Sequence, residues 1–348
     1  MRRVFAVLLL PAALCAAAGC RYVTLDRATP QADAITDMHW LMFWVLGAVF
    51  ALVLAALAIA VSRRSRAPIA GGKDPRFFAV AAATGVTCAI LLLLLVASVV
   101  TGRAVSIALL LVLVVASVVT NRALARASLD NAVNIDVTGH QWWWEVRYPA
   151  AVADDEVLTA NEIHVPVGRS VRLHLASTDV IHSFWAPNLN GKKDLIPGRS
   201  TGMTFRVLRA GTYEGRCAEF CGYQHAHMGF RVVAEPPSEF EAWLESQRLP
   251  AAEPGDAARV HGHEVFLAGP CVNCHAIRGA GAFGRKGPDL THLASRSTIA
   301  AATLPNTTGH LAGWIADSQW IKPGNRMPPN VLPSGDLLDL VAYLRSLR

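Results

Sequence analysis

The feature that most limits how this chain can fold is a run of 22 residues, 40–61, without a charged side chain. An α-helix needs about 20 apolar residues to cross the roughly 30 Å hydrocarbon layer of a bilayer, so the run predicts a membrane span. Arg63, Arg64 and Arg66 follow it directly. Because positive charge is enriched on the cytoplasmic side of a membrane, the span is predicted to run from outside to inside.

A second apolar stretch, residues 77–120, is interrupted only by Arg103 and is about twice as long as one span requires. VASVVTGRA at 96–104 recurs as VASVVTNRA at 115–123, which indicates a tandem duplication. Both copies contain an arginine, so local charge does not decide the number of crossings. We expect one functional crossing by an overlong or broken helix, because the chemistry predicted below requires the C-terminal part to lie outside. Residues 21–133 thus predict a transmembrane helical hairpin.

The first 20 residues have the layout of an export signal, with two arginines, an apolar stretch and small residues before Cys20. The residues before Cys20 resemble a lipobox, so lipidation of this cysteine is one hypothesis. The alternatives are a plain signal peptide or an uncleaved anchor, with Cys20 inert.

The net charge of +6 does not indicate a nucleic-acid-binding protein. Residues 1–133 carry 12 Lys and Arg against 5 Asp and Glu, whereas residues 134–348 carry 20 against 21. The positive charge belongs to the membrane flanks, and the polar part lacks the basic patch that nucleic acid requires. The seven cysteines are an odd number, which argues against a pure disulfide framework.

Residues 134–235 consist of short apolar runs separated by turn residues, among them EIHVPVG, SVRLHLAS and GFRVVAE. Alternating runs of this length predict the β-strands of a sandwich or a small barrel. A compact β-sandwich suits a segment of about 100 residues.

One predicted loop of this domain, CAEFCGYQHAHM at 217–228, is rich in metal ligands. Thiolate, imidazole and thioether groups together suit copper. Two thiolates, Cys217 and Cys221, can bridge two metal ions, so a dinuclear copper centre is favoured. A disulfide in an oxidising compartment and a zinc site are the alternatives, but a disulfide leaves His225 and Met228 unexplained.

A second motif, CVNCH, predicts covalent attachment of a c-type haem, with Cys271 and Cys274 as thioethers and His275 as an axial ligand. A thioredoxin-like redox pair is the alternative. The proline-rich segment KPGNRMPPN supplies Met327 as the sixth ligand, and ligation by Met and His raises the haem potential.

Between these motifs, residues 236–257 contain a short helix candidate and then a linker rich in Pro, Ala and acids. The cytochrome-like domain is expected at 258–348. Its last helix is predicted to be amphipathic, with a core face formed by Leu337, Leu338, Leu340, Val341 and Leu344.

Three blocks carry a family resemblance: DVTGHQWWWEVRY, STDVIHSFWAPNLNGKKDLIPGR and GTYEGRCAEFCGYQHAHMGF. They resemble, in order and spacing, subunit II of haem-copper cytochrome c oxidases, in the caa-type form with a fused C-terminal cytochrome c. The resemblance spans most of residues 40–348. It implies an α+β multidomain protein with an N-terminal transmembrane helical hairpin, a cupredoxin-like β-sandwich and an all-α cytochrome c domain.

The resemblance also implies a dinuclear copper A centre with two bridging thiolates, two capping imidazoles, a weak thioether ligand and a backbone carbonyl. In that order the implied ligands are Cys217 and Cys221, His182 and His225, Met228, and Glu219.

Two further roles follow from the resemblance. The Glu219 side chain would help to hold a magnesium ion shared with subunit I, since hard oxygen donors suit that ion; the alternative is a solvated loop acid. Trp142, the first aromatic residue after GHQ, would be the point where electrons enter, as part of an exposed aromatic docking patch. At least one of Trp143 and Trp144 is expected to be a core residue or a membrane-interface anchor.

The implied function is that of subunit II of a respiratory cytochrome c oxidase, a proton-translocating enzyme. The chain would accept electrons from cytochrome c or another donor through haem c and two copper ions. It would pass them to subunit I, where dioxygen is reduced. The polar domains would lie on the periplasmic side of a bacterial inner membrane. The alternative is a membrane-anchored periplasmic electron-transfer or copper-delivery protein, which would not need GHQWWW, DLIPGR and a second membrane helix together.

Overall fold

The computed structural model describes residues 28–64, 107–108, 110–120, 122, 131–152 and 156–348. The chain divides into two compact units, which are treated separately: Met1–Asp33 with Ala127–Arg348, and Ala34–Arg126. The predicted signal at 1–20, including Cys20, lies outside the described residues.

The smaller unit is helical. Helix α1, Pro30–Arg64, contains the whole of the uncharged run 40–61, and residues 110–120 are also helical. Most of the predicted second span, 77–120, lies outside the described residues. Among the residues that are described, no helix combines the length and the apolar character needed to traverse a bilayer. The two membrane helices therefore remain predictions.

Residues 131–235 confirm the predicted β-sandwich. One five-stranded sheet has the order β3-β2-β1-β5-β8 and the other the order β4-β10-β9-β6-β7. Pairing is antiparallel except between β1 and β5 and between β4 and β10. The strands are β1 Val133–His140, β2 Trp143–Tyr148, β3 Val157–Ala160, β4 Glu162–Pro166, β5 Ser170–Ser177, β6 His182–Trp185, β7 Lys193–Leu195, β8 Thr201–Arg206, β9 Gly211–Cys217 and β10 Gly229–Glu235.

The alternation of the sequence explains the sandwich. In β1 the side chains of Ile135 and Val137 are buried, and their neighbours are more exposed. In β2 the buried positions are Trp144, Val146 and Tyr148. Because successive side chains of a strand point to opposite faces, this period of two gives each sheet one apolar face, and the two faces form the core.

The helix candidate in the predicted linker belongs structurally to the sandwich. Helix α2, Pro237–Arg248, buries Phe240 in the sandwich core, and Trp243 packs beside it. The ring of Trp243 stacks on that of His164, with 4.0 Å between the ring centroids and 5° between the ring planes. The extended segment that follows is short, since helix α3 begins at Ala257.

The C-terminal domain confirms the predicted helical region. Its helices are α3 Ala257–Ala268, α4 Thr308–Ala316, α5 Ser318–Ile321 and α6 Ser334–Leu344. Two short hairpins interrupt them, formed by Ala276–Ile277 with Ala282–Phe283 and by Thr298–Ile299 with Leu304–Pro305. A second hydrophobic core, which includes Phe266 and Tyr343, holds the helices together.

The prediction that Leu338 is a core residue of the last helix is wrong. Leu340, Val341 and Leu344 are buried, and Leu337 packs against the same core, but Leu338 is 64% exposed. At 100° per residue, positions 337, 340, 341 and 344 form one stripe, and position 338 falls outside it.

Candidate metal centre and haem site

The predicted copper ligands come together where strand ends and loops of the second sheet meet. Cys217 is the last residue of β9 and His182 is the first residue of β6, its partner in that sheet. Met228 directly precedes β10. Cys221 and His225 lie in the loop between β9 and β10, which contains a short 3-10 turn. Sheet pairing thus brings together ligands that are far apart in sequence.

The donor atoms face one another across a few ångströms. The Sγ atoms of Cys217 and Cys221 are 3.8 Å apart. His182 Nδ1 lies 3.8 Å from Cys217 Sγ, and His225 Nδ1 lies 3.6 Å from Cys221 Sγ. Met228 Sδ lies 3.8 Å from Cys221 Sγ. Each sulfur therefore has an imidazole nitrogen close to it, so donors for two bridged metal ions are grouped in one place.

The chemistry of this donor set fits copper. The 3.8 Å between the two sulfurs is far longer than the roughly 2.05 Å of a disulfide bond, and both cysteines are free thiols. Thioether and thiolate ligands with imidazole suit copper better than zinc. His182, Cys217 and Cys221 are all buried, with donor atoms within 4.8 Å of one another. The pocket is therefore dry and rich in soft ligands.

Electrostatics prepare the cysteine pair for a cation. The hydrogen bond from the Cys221 thiol, with another from His182, lowers the pKa of Cys217 to about 3. Because that bond needs the Cys221 proton, and because the site is buried, the pKa of Cys221 is raised. Cysteine binds a metal ion as the thiolate, so binding at this pair would release the remaining thiol proton.

Glu219 lies beside the cysteines through its main chain. Its carbonyl oxygen is 3.2 Å from Cys217 Sγ, and its role as a backbone ligand remains a prediction. Its carboxylate accepts a hydrogen bond of 3.0 Å from Lys192 and is partly exposed. Magnesium needs a roughly octahedral shell of oxygen ligands, most of which are usually waters, so a single carboxylate does not by itself identify a magnesium site.

A polar network orients the His182 imidazole through its Nε2 atom, on the side away from Cys217. Its Nε2 lies 2.9 Å from Asp179 Oδ1, and Asp179 Oδ2 accepts a 2.7 Å hydrogen bond from the backbone N–H of Gln141. The Nδ1 atom is thereby left for the sulfur side, as expected for a metal-ligating imidazole with a carboxylate partner. A Cβ atom at Gly139 would lie 2.7 Å from His182 Cδ2, so this position requires glycine.

Trp142 is directly connected to the cysteine loop. Its indole Nε1 donates a 2.8 Å hydrogen bond to the carbonyl of Cys221, which also accepts one from Gln141 Nε2. The prediction that Trp142 belongs to an exposed docking patch is wrong, because its side chain is only 8% exposed. The reason is that a loop of the C-terminal domain near Gly324 lies against the indole ring. Trp144 is fully buried, in line with the expectation for one of the two other tryptophans.

The CVNCH motif forms a tight turn at the end of helix α3. Cys271 and Cys274 are free thiols, and the backbone N–H of His275 donates to the carbonyl of Cys271 at 2.9 Å. His275 Nδ1 is 2.7 Å from the carbonyl oxygen of Pro288, which leaves Nε2 to ligate iron. Burial lowers the pKa of His275, and this favours the neutral form that binds metal. A Cβ at Gly287 would lie 2.7 Å from the imidazole. The residues fit a covalently bound haem.

Met327 is held by its main chain. Its N–H donates to Asn325 Oδ1 at 2.7 Å, and its carbonyl accepts hydrogen bonds from Ser318 and Gln319. Its side chain packs against the same hydrophobic core as Cys271. The backbone is thus fixed while the thioether stays available within the domain that carries the CVNCH motif.

Comparison with known proteins identifies the family of this chain. The family model described as Cytochrome C oxidase subunit II, periplasmic domain, matches residues 133–235, and the model described as Cytochrome c matches residues 260–348. The chain is 34% identical over 333 residues to cytochrome c oxidase subunit 2 of Alkalihalophilus pseudofirmus, covering 93% of this chain and 90% of that protein. The chain belongs to the cytochrome c oxidase subunit 2 family.

Two further relatives extend the comparison. Cytochrome c oxidase subunit 2 of Bacillus subtilis is 31% identical over 231 residues, which are 63% of each chain. A crystal structure of the periplasmic domain of subunit II of cytochrome oxidase from Bradyrhizobium japonicum is 30% identical, with a TM-score of 0.32. It covers 33% of this chain and 93% of that one. The predicted family and its function, subunit II of a respiratory oxidase with a cytochrome c domain, are confirmed.

Several residues of this subunit 2 site were not predicted from the sequence. Asp179 and Gln141 lie inside the quoted blocks, and an acid three positions before a ligand histidine is a signal that could have been used. Gln224 and Lys322 contact the site region across a domain boundary. Nothing in their local sequence indicates those contacts.

Proposed function

We propose that this subunit II binds a dinuclear copper centre in the sandwich and a covalent haem c in the C-terminal domain, and that Trp142 lies on the electron path between them. The observation that carries the proposal is the convergence of two cysteines, two histidines and a methionine on one buried site. When bound, the two groups exchange single electrons. The partner that takes the electrons onward is subunit I, in which dioxygen reduction and proton pumping would take place.

The protein's own residues would position these groups. Cys217 and Cys221 would bridge the copper ions, and His182 and His225 would cap one ion each. Cys271 and Cys274 would anchor the haem, with His275 and Met327 as axial ligands. The Glu219 carbonyl and Met228 would be the remaining copper ligands, and magnesium, shared with subunit I, would take the Glu219 carboxylate.

The Trp142 side chain supports the proposed path. It is hydrogen-bonded to the carbonyl of a copper ligand, Cys221, and it lies beneath the loop that carries Met327 at its far end. A tethered cytochrome domain also makes the transfer effectively intramolecular, so weak docking between the domains suffices.

The copper assignment can be tested on the purified protein by metal analysis and electron paramagnetic resonance. Two coppers per chain in a mixed-valence signal are expected. Cys217→Ser should abolish the near-infrared dicopper absorption and leave the haem spectrum intact, because the haem ligands lie in the other domain. A protein with a disulfide between the two cysteines and no copper would contradict the proposal.

Copurification with a multi-span haem-copper subunit would separate an oxidase subunit from a free-standing electron carrier or copper-delivery protein. We also propose that the polar domains lie on the periplasmic side, anchored by the spans at 40–61 and 77–120. An alkaline phosphatase fusion after residue 134 should then be active. An inactive fusion would contradict this topology.

A further inference from the structure

Lys322 occupies an unusual place between the two polar domains. Its side chain is only 3% exposed, although lysine is almost never buried without a partner. Its Nζ donates a 2.7 Å hydrogen bond to the carbonyl of Trp142 and one of 3.2 Å to the carbonyl of Ala300. The first acceptor belongs to the sandwich and the second to the cytochrome domain. A single amine thus joins the domains at the tryptophan placed on the electron path.

Two other hydrogen bonds near Lys322 also cross the boundary, and in both of them the donor belongs to the sandwich. Gln224, which is buried, donates from Nε2 to the carbonyl of Pro323 at 2.7 Å. The backbone N–H of Gly229 donates to the carbonyl of Ala301 at 3.0 Å. Both sandwich residues lie next to proposed copper ligands, so the cytochrome domain is seated on the rim of the metal site.

The turn that supplies the carbonyls of Ala300 and Ala301 has an uncommon backbone conformation. Ala300, Ala301 and Ala302 all have left-handed conformations, with φ values of 55°, 58° and 56°. Left-handed conformations are unfavourable for residues with a Cβ, and they persist only where surrounding contacts hold them. Here the carbonyls of Ala300 and Ala301 point at the donors of Lys322 and Gly229. The turn's backbone is thus consistent with a contact that holds these carbonyls in place.

The Asn325 side chain links Lys322 to the proposed haem ligand, Met327, through two hydrogen bonds. Asn325 Nδ2 donates to the carbonyl of Lys322 at 2.7 Å, and Asn325 Oδ1 accepts from the N–H of Met327 at 2.7 Å. The loop is therefore tied at one end to Trp142 and at the other to the residue that would ligate the haem iron. The link to Met327 uses only the main chain of Lys322, so it survives a change of the side chain.

We propose that Lys322 is a positioning residue for electron transfer within the chain: its buried amine holds the cytochrome domain against Trp142 at the rim of the dicopper site. This inference rests on the proposed function. In the transfer that it serves, one electron leaves the reduced haem iron and one copper pair is reduced, with no bond made or broken and no proton moved. Lys322 touches neither group and acts through the Trp142 main chain.

The test is Lys322→Met in the full-length protein, with Lys286→Met as the matched control. Lys286 is exposed on the same domain, so its replacement removes the same charge without touching the contact. After rapid photoreduction of the haem by a ruthenium complex, the haem and near-infrared dicopper bands report the internal transfer. We expect Lys322→Met to slow it about tenfold, because the buried carbonyl of Trp142 loses its bond from Lys322 and the carbonyl of Ala300 keeps only its bond from Thr303. Lys286→Met should behave as the unchanged protein.

Hydrogen exchange provides a readout that does not depend on either metal group. The amide of Gly229 donates to the cytochrome domain, so it should exchange faster in Lys322→Met while both absorption bands keep their positions. An unchanged transfer rate with unchanged exchange at Gly229 would overturn the assignment.

A second variant and the dicopper band of the unchanged protein complete the experiment. If Lys322→Met fails to assemble, Lys322→Leu, which also removes the donor, is measured in the same way. Slower transfer with faster exchange supports the proposal, whereas wild-type behaviour, or failure of both variants to fold, overturns it. Absence of the dicopper band from the unchanged protein would instead refute the proposed function, which is a different result.

Discussion

The indole N–H of Trp142 donates a 2.8 Å hydrogen bond to the carbonyl of Cys221, 79 positions further along the chain. This bond joins an aromatic ring that is covered by the cytochrome domain to the main chain of a proposed copper ligand. Trp144 also donates from its indole Nε1 to the carbonyl of a proposed copper ligand, Met228, at 3.4 Å, but it is fully buried, whereas a loop of the cytochrome domain lies against Trp142.

Trp142→Phe should slow the internal transfer severalfold and leave the metal content unchanged. Phenylalanine keeps an aromatic ring in the buried site but cannot donate to Cys221. The measurement is the transfer rate after photoreduction. Trp143→Phe is the control, because the Trp143 ring stacks on His140 and not on the copper loop. The two ring centroids are 4.5 Å apart and the ring planes differ by 10°. Equal rates for the two variants would contradict a specific role for Trp142.

Gly139→Ala should reduce copper loading. The new Cβ would lie 2.7 Å from Cδ2 of His182, and this imidazole is fully buried, so it cannot move aside without leaving its place beside Cys217. Loss of ligand orientation typically lowers metal affinity about 10- to 100-fold. Copper titration with competing chelators would measure the change.

The matched control for this substitution is Gly191→Ala. A Cβ at Gly191 meets no atom within 4 Å, so the same chemical change should leave copper affinity unaltered. A Gly139→Ala protein that binds copper as tightly as the control would show that the ring has room to shift.

Met327→Leu should leave the haem attached and lower its reduction potential. The thioether bonds depend on Cys271 and Cys274, and leucine has a volume similar to that of methionine, so the fold should lose less than about 1.5 kcal/mol. Without the sulfur the axial ligation that raises the potential is gone. A redox titration followed by absorbance measures the shift, and an unchanged spectrum and potential would mean that another residue is the sixth ligand.

The sequence was sufficient for features that depend on local pattern. The alternation in EIHVPVG, SVRLHLAS and GFRVVAE predicted the sandwich. The short spacing from Cys217 to Met228 predicted the ligand cluster, because those residues share one loop. Burial of Leu338 was wrongly predicted because a run of leucines does not show where the apolar stripe ends.

Contacts between distant segments could not be predicted in this way. The hydrogen bond from Lys322 to Trp142 joins residues 180 positions apart, and burial of the tryptophan depends on how two domains meet. Helix α2 likewise has few apolar residues, and only the structure shows that Phe240 completes the sandwich core. Local composition contains no information about such pairings.

The contact between the domains should strengthen as pH rises above neutrality. Burial lowers the pKa of Lys322 to about 7. In an undocked cytochrome domain the same amine would be exposed, with an ordinary pKa near 10.4. Between about pH 7 and pH 10 the docked state therefore binds fewer protons than the undocked state. Docking improves by up to about tenfold per pH unit over that window and is constant below it.

This pH dependence can be read from the internal transfer rate between pH 6.5 and 9, a range chosen around the value of about 7 for Lys322. In the unchanged protein the rate should be flat below about pH 7 and rise above it until docking is complete. Lys322→Met has no titrating amine, so its slower rate should not follow that rise. If the variant and the unchanged protein show the same pH profile, some group other than Lys322 controls it, because this substitution removes only the one amine.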